Sequence, residues 1–129
     1  MTPAQEMASA CLAMRARRVT QIYDRQLADS TLSAARMNVL VAVSAMPGVR
    51  ATELGEALHL EKSTVSRDLA RLLKDGHIEA RSGHGRSRHL YATAQGDAEL
   101  ERMLPAWREA QAQARELLGE LADLLARHG

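Results

Sequence analysis

Residues 51–76 constrain the fold most. They read Ala-Thr-Glu-Leu-Gly-Glu-Ala-Leu-His-Leu-Glu-Lys-Ser-Thr-Val-Ser-Arg-Asp-Leu-Ala-Arg-Leu-Leu-Lys-Asp-Gly. Leu54, Ala57 and Leu58 fall at i, i+3 and i+4, and Val65, Leu69, Leu72 and Leu73 at i, i+4, i+7 and i+8. Each pattern gives a short helix one apolar stripe. Only His59-Leu60-Glu61 separates the two. So short a link forces a steep crossing, the geometry of a helix-turn-helix. Leu60 is expected to fill the corner. Glu61 is expected to cap the second helix, since an anion suits a helix N-terminus.

With its apolar residues turned inward, the second helix turns Ser63, Thr64, Arg67 and Arg71 outward. Small hydroxyl side chains let a helix sink into the DNA major groove. Arginine bonds guanine bidentately, and serine or threonine bonds base edges or phosphates. A merely solvated polar face is the plain alternative, and the flanking segments argue against it.

After Gly76, a glycine suited to closing a helix, the period becomes two. Ile78 and Ala80 alternate with Glu79 and Arg81, and Leu90 and Ala92 with His89 and Tyr91. Ser82-Gly83-His84-Gly85-Arg86-Ser87 lies between, so a β-hairpin is expected with Arg86 at its tip and Arg88 close behind. A hairpin directly after such a helix is a wing. From Ala80 to Tyr91 there are three arginines, two histidines and no acid, a finger fit for phosphate or a narrow minor groove.

Upstream, residues 5–28 read as one helix with Ala8, Cys11, Leu12, Val19, Ile22, Tyr23 and Leu27 on one side. Ser33 is an N-cap for a helix through about Ala45, with Met37, Leu40, Val41 and Ser44 inward, and Met46-Pro47-Gly48 ends it. Val49 and Arg50 suit a very short strand. Downstream, Thr93 suits a cap. The stripe Leu100, Met103, Leu104, Trp107, Ala110, Ala114, Leu117, Leu118, Leu121, Leu124 and Leu125 then follows. Pro105 is expected to bend this region and Gly119 to break it. It carries more apolar surface than a small winged core covers, so a second subunit is its natural partner.

Net charge is only +1 over 129 residues. Its distribution is uneven: residues 50–91 hold eight basic against six acidic residues, and residues 92–129 four against seven. Phe is absent and Trp appears once, which argues against the aromatic platforms that bind single strands. No apolar run reaches the roughly 18 residues of a membrane span. Arg15, Arg17 and Arg18 follow the mildly apolar start instead of preceding it, unlike a signal peptide. A cytoplasmic protein is expected, with no membrane partner.

The order of these elements resembles the MarR family of bacterial winged helix-turn-helix transcription regulators over roughly residues 11–125. The stretches that carry the likeness are Arg18-Val-Thr-Gln-Ile-Tyr23, Leu32-Ser33, Thr52-Glu-Leu54, Ser63-Thr-Val-Ser-Arg67, Leu72-Leu-Lys-Asp-Gly76-His-Ile78 and Thr93-Ala-Gln-Gly96. The resemblance implies a mainly α fold with a small β-hairpin wing (α+β). One domain spans 1–129, with 5–32 and 93–128 as dimerisation helices and 33–92 as the DNA-binding lobe. It implies a homodimer that binds a palindromic operator in double-stranded DNA, most often as a repressor, and is released by a small aromatic effector. Ser63, Thr64 and Arg67 match the family's reading helix, and Arg86 its wing arginine; Arg71 and Arg88 extend the same basic surface. Two departures stand out: His84 occupies the position of the family's wing Asp, and the C-terminal helices are short for the family.

Cys11 is the sole cysteine, so it forms no intrachain disulfide. A redox-sensing regulator would need an accessible thiol of lowered pKa. Cys11 lies on the apolar stripe and about two positions from the cysteine of the family's peroxide sensors, which favours a packing role. The five histidines form no metal-ligand pattern. No nucleophile–base pair, paired carboxylates or phosphate loop points to an enzyme or a cofactor. A winged helix used only for protein contact is the remaining alternative. Its surface would have no need of Arg67, Arg86 and Arg88 together. Arg86→Ala is therefore expected to weaken binding to every duplex and to flatten its salt dependence, read by titrating affinity against salt.

Overall fold

The computed structural model describes residues 1–9, 11–83, 85 and 87–128. In chain order the elements are α1 (Pro3–Ser9), α2 (Leu12–Gln26), α3 (Ala34–Ala45), α4 (Ala51–Leu58), α5 (Lys62–Lys74), β1 (Ile78–Ser82), β2 (Arg88–Ala92) and α6 (Ala94–His128). The fold is mainly helical with one antiparallel hairpin, as the periodicity implies. The chain divides into two compact units, Leu32–Met103 and Met1–Thr31 with Leu104–Gly129.

The first of these units is the winged lobe. Ser33 caps α3, its hydroxyl accepting from the Arg36 N–H at 3.2 Å. α3 packs against α4, α5 and β2. Being central, it is buried over a broad arc: Val39, Leu40 and Val43 are fully enclosed with Leu54 and Leu72. Each such side chain contributes roughly 1.5–3 kcal/mol by leaving water. Contrary to the expectation that it faces inward, the arc stops short of Val41, which is 45% exposed at the edge of a groove. Ala57 is likewise exposed, while Leu54 carries the burial of α4.

The link between α4 and α5 is His59-Leu60-Glu61, as expected. His59 takes a left-handed conformation, φ 54°, and the Leu60 N–H closes the turn on the Gly55 carbonyl at 3.0 Å. Glu61 precedes α5 in an extended conformation, but its side chain makes no cap bond. Glutamate reaches past the first-turn N–H groups that shorter side chains satisfy. α5 ends in a Schellman turn: the Gly76 N–H donates to Leu73 O at 3.2 Å and the His77 N–H to Leu72 O at 3.0 Å. Gly76 has φ +79°, which explains the glycine.

β1 pairs with β2 from Ile78↔Ala92 to Ser82↔Arg88. Val49 adds one antiparallel bridge to Leu90. Thr93 caps α6, its Oγ1 accepting from the Gly96 N–H at 3.1 Å.

In the other unit, α1 begins with a capping box: Thr2 N–H donates to Gln5 Oε1 at 2.8 Å, and Gln5 N–H to Thr2 Oγ1 at 3.2 Å. The single helix expected over 5–28 is two helices, because Cys11 is extended at φ −73°, ψ 111° and starts α2 afresh. On α6, Ala110, Ala114, Leu117 and Leu121 are buried at i, i+4, i+7 and i+11. α6 runs on through Pro105 and Gly119, so the expected break at Gly119 is absent. No residue of α2 is fully buried. Leu12 is 60% exposed and Leu118 51%.

The two glycines of α6 differ sharply. A β-carbon on Gly96 would lie 2.1 Å from the His77 carbonyl oxygen, whereas one on Gly119 would meet nothing within 4 Å. Urea denaturation should show Gly96→Ala costing about 2 kcal/mol or more, the scale of overpacking. Gly119→Ala should instead gain up to about 1 kcal/mol from helix propensity.

Candidate nucleic-acid interface

α5 has two opposed rows. Val65, Leu69 and Leu72 are buried. On the other side Ser63, Arg67, Ala70 and Lys74 fall at i, i+4, i+7 and i+11, and all four are exposed. Two small residues therefore alternate with two cations along the outermost line of the helix. Small side chains permit close approach of the backbone to a partner, and the cations supply reach.

Ion pairing sorts the basic residues. Arg50 Nε lies 2.9 Å from Glu53 Oε1, and Arg71 Nε 2.9 Å from Asp75 Oδ2. Arg81 is held by Glu79 and also lies over the Tyr91 ring, 4.1 Å from its centre. Arg102 pairs with Glu99. The hydrogen bond from Arg71 holds the Asp75 carboxyl below the usual carboxylate range, and that from Arg50 does the same for Glu53. Among the described residues, Lys62, Arg67, Lys74 and Arg88 have no carboxylate partner.

The sequence-derived residues divide accordingly. Ser63 and Arg67 stand on the outer row. Arg71 is exposed but already engaged by Asp75. Thr64 is half-buried on the flank toward α3, where it lines a groove of about 320 Å³ with Asn38, Val41, Leu58 and Asp68. Arg88 comes to the other flank of α5. With Leu90 it lines a cleft of about 250 Å³ together with Ser66, Leu69, Ala70 and Leu73. Arg86 and His84 lie outside the described residues. Cys11 is free and half-buried at the start of α2. Among the described residues, no cluster of three or more His, Cys, Asp or Glu side chains is fit to hold a metal ion.

Sequence reasoning missed Lys74 and Ala70. Their signal was present, since both extend the row that starts at Ser63 and Arg67. The closeness of Arg88 to Ser66 had no local signal, because it depends on how the hairpin folds back beside α5.

Comparison with known proteins adds a match over part of the chain. Residues 30–87 fit the model of the MarR family. Those 58 residues, just under half of the chain, are similar to that family. That family consists of transcription regulators and not of enzymes. No curated protein sequence matches the chain. Among solved structures, it resembles a MarR-family transcriptional regulator from Silicibacter pomeroyi at 28% identity, covering 88% of this chain and 84% of that one, with a TM-score of 0.67. A mutant MarR from E. coli complexed with operator DNA shares the fold at 18% identity, 90% and 89% coverage and a TM-score of 0.76. So does Bordetella bronchiseptica BpsR, whose DNA binding is regulated by 6-hydroxynicotinic acid, at 20% identity, 91% and 89% coverage and a TM-score of 0.75. The matched stretch includes the exposed α5 row and β1 and ends just before Arg88.

Proposed function

We propose that this protein is a sequence-specific double-stranded DNA-binding transcription regulator. It acts as a homodimer on a palindromic operator, represses, and is released by a small, aromatic effector. The observation that carries the DNA-binding reading is the outer row of α5. Arg67 and Lys74 project there without carboxylate partners among the described residues, alternating with the small residues Ser63 and Ala70. Arg67 with Ser63 and Thr64 reads base edges. Lys74, Arg88 and the wing arginine Arg86 hold phosphates, with Arg71 in reserve behind its Asp75 pair. Operator binding by the related MarR and effector control of BpsR support the reading.

The homodimer is supported by the apolar surface of the unit formed by residues 1–31 and 104–129. Met7, Leu12, Met14 and Leu118 are all more than half exposed there, and such surface commonly marks an interaction site. A two-fold dimer presents two reading helices to the two half-sites of a palindrome.

Selection from a random duplex library, followed by salt titration of the recovered and a scrambled duplex, tests the function. A palindromic winner bound far more tightly than scrambled DNA is expected; equal binding of both would sink the specific-regulator reading. Arg67→Ala should cost about 1–3 kcal/mol and relax preference at one position of each half-site. The pair Leu12→Asp with Leu118→Asp should shift the protein to monomer in light scattering, and a dimer unchanged by both would contradict the interface.

A further inference from the structure

β2 carries Arg88 and Leu90 on one face and His89 on the other, since side chains alternate along a strand. Arg88 and Leu90 line the cleft beside α5. His89 is half-buried on the opposite side. Its Nδ1 lies 2.9 Å from the carbonyl oxygen of Gly48, in the turn between α3 and α4. A carbonyl only accepts, so Nδ1 carries the hydrogen and donates. The backbone repeats the tie one residue on: Gly48 N–H donates to Leu90 O, and Leu90 N–H to Val49 O, each at 2.9 Å. At its far side the imidazole lies against Gly83, where β1 passes into the wing loop. A β-carbon on Gly83 would stand 2.3 Å from His89 Nε2. Gly83 does not take a positive φ, so its lack of a side chain provides room for the ring and serves no turn.

We infer that His89 is a positioning residue for DNA binding: its ring braces the root of the wing against the α3–α4 turn and so holds Arg88 toward the duplex backbone beside α5. The inference rests on the DNA-binding reading above. The backbone tie at Gly48 and Val49 fixes β2 near Leu90, but it leaves the strand's distal end, where Arg88 stands, to the pairing with β1 alone. His89 adds the second fixed point. Its ring spans from the Gly48 carbonyl to Gly83, which lies one residue beyond the Ser82↔Arg88 pair.

The test uses the full-length protein and the duplex recovered by the library selection. Affinity is measured over a salt series for wild type, His89→Leu, His89→Asn, Gly83→Ala and Arg88→Ala. Asparagine keeps an N–H donor near the place of Nδ1, whereas leucine fills space without one. His89→Leu should weaken binding roughly three- to tenfold and reduce the salt slope by about one, as loss of one phosphate contact does. Gly83→Ala, which displaces the ring from the other side, should do likewise and serves if His89→Leu fails to fold. His89→Asn should restore the slope. Combined with Arg88→Ala, His89→Leu should add nothing, because both remove the same contact. A wild-type slope in folded His89→Leu or Gly83→Ala, additive losses in the double variant, or His89→Asn as weak as His89→Leu would overturn the inference and leave the DNA-binding reading intact. Failure of the wild type to bind any duplex would sink both.

Discussion

The turn at Gly76 ties together the three elements on which the rest of the lobe depends. Thr93 Oγ1 donates to the Gly76 carbonyl at 2.6 Å while accepting from the Gly96 N–H. The Thr93 N–H donates to His77 O at 3.1 Å, and Gln95 Nε2 to Asp75 O at 3.1 Å. The end of α5, the start of β1 and the start of α6 therefore share one hydrogen-bonded knot. Its members are mostly backbone groups that burial would otherwise leave unsatisfied at costs of about 1–3 kcal/mol each. The close approach of His77 O to Gly96 leaves no space for a side chain there. Substitutions on the outer row of α5 touch none of these groups, so that exposed row can change sequence while the scaffold stays put.

Around that scaffold, electrostatics selects more than it stabilises. Exposed ion pairs contribute little to folding. Their effect is to occupy some cations and leave others available. Arg71 is drawn back along α5 to Asp75, and Arg81 lies across the hairpin between Glu79 and Tyr91. Among the described residues, Lys62, Arg67 and Lys74 on α5 and Arg88 on β2 are left over. A chain with a net charge of +1 can in this way present a locally basic surface. Net charge alone says nothing of that arrangement.

The helix-turn-helix was legible because its signals are local and agree with one another. The stripe of Val65, Leu69 and Leu72, the three-residue link and the glycine at 76 all specify the same two helices. The caps Ser33 and Thr93 were equally plain. Errors fell where burial is decided by distant neighbours or where a break lacks punctuation. Val41 follows the spacing of the buried face of α3, yet the helix is enclosed by α4, α5 and β2 over an arc that leaves Val41 at the edge of a groove. The interruption at Cys11 carries neither Gly nor Pro, so apolar periodicity ran across it. Gly119 misled in the opposite sense, since one glycine in a long helix costs only about 1 kcal/mol and the neighbouring turns absorb it.

The sequence by itself determined the identity and order of the elements, the polar face of α5 and the basic character of the hairpin, because 3.6- and 2-residue periodicities and turn residues act over a few positions. Tertiary structure alone decided which polar groups are spent and which remain. Arg71 and Arg67 look alike in the chain, and only the folded geometry gives one of them a carboxylate. The bond from His89 to Gly48 joins residues 41 positions apart, and Arg88 meets the flank of α5 only because the hairpin returns beside it. Such contacts depend on the three-dimensional path of the backbone, which no local spacing of residue types encodes.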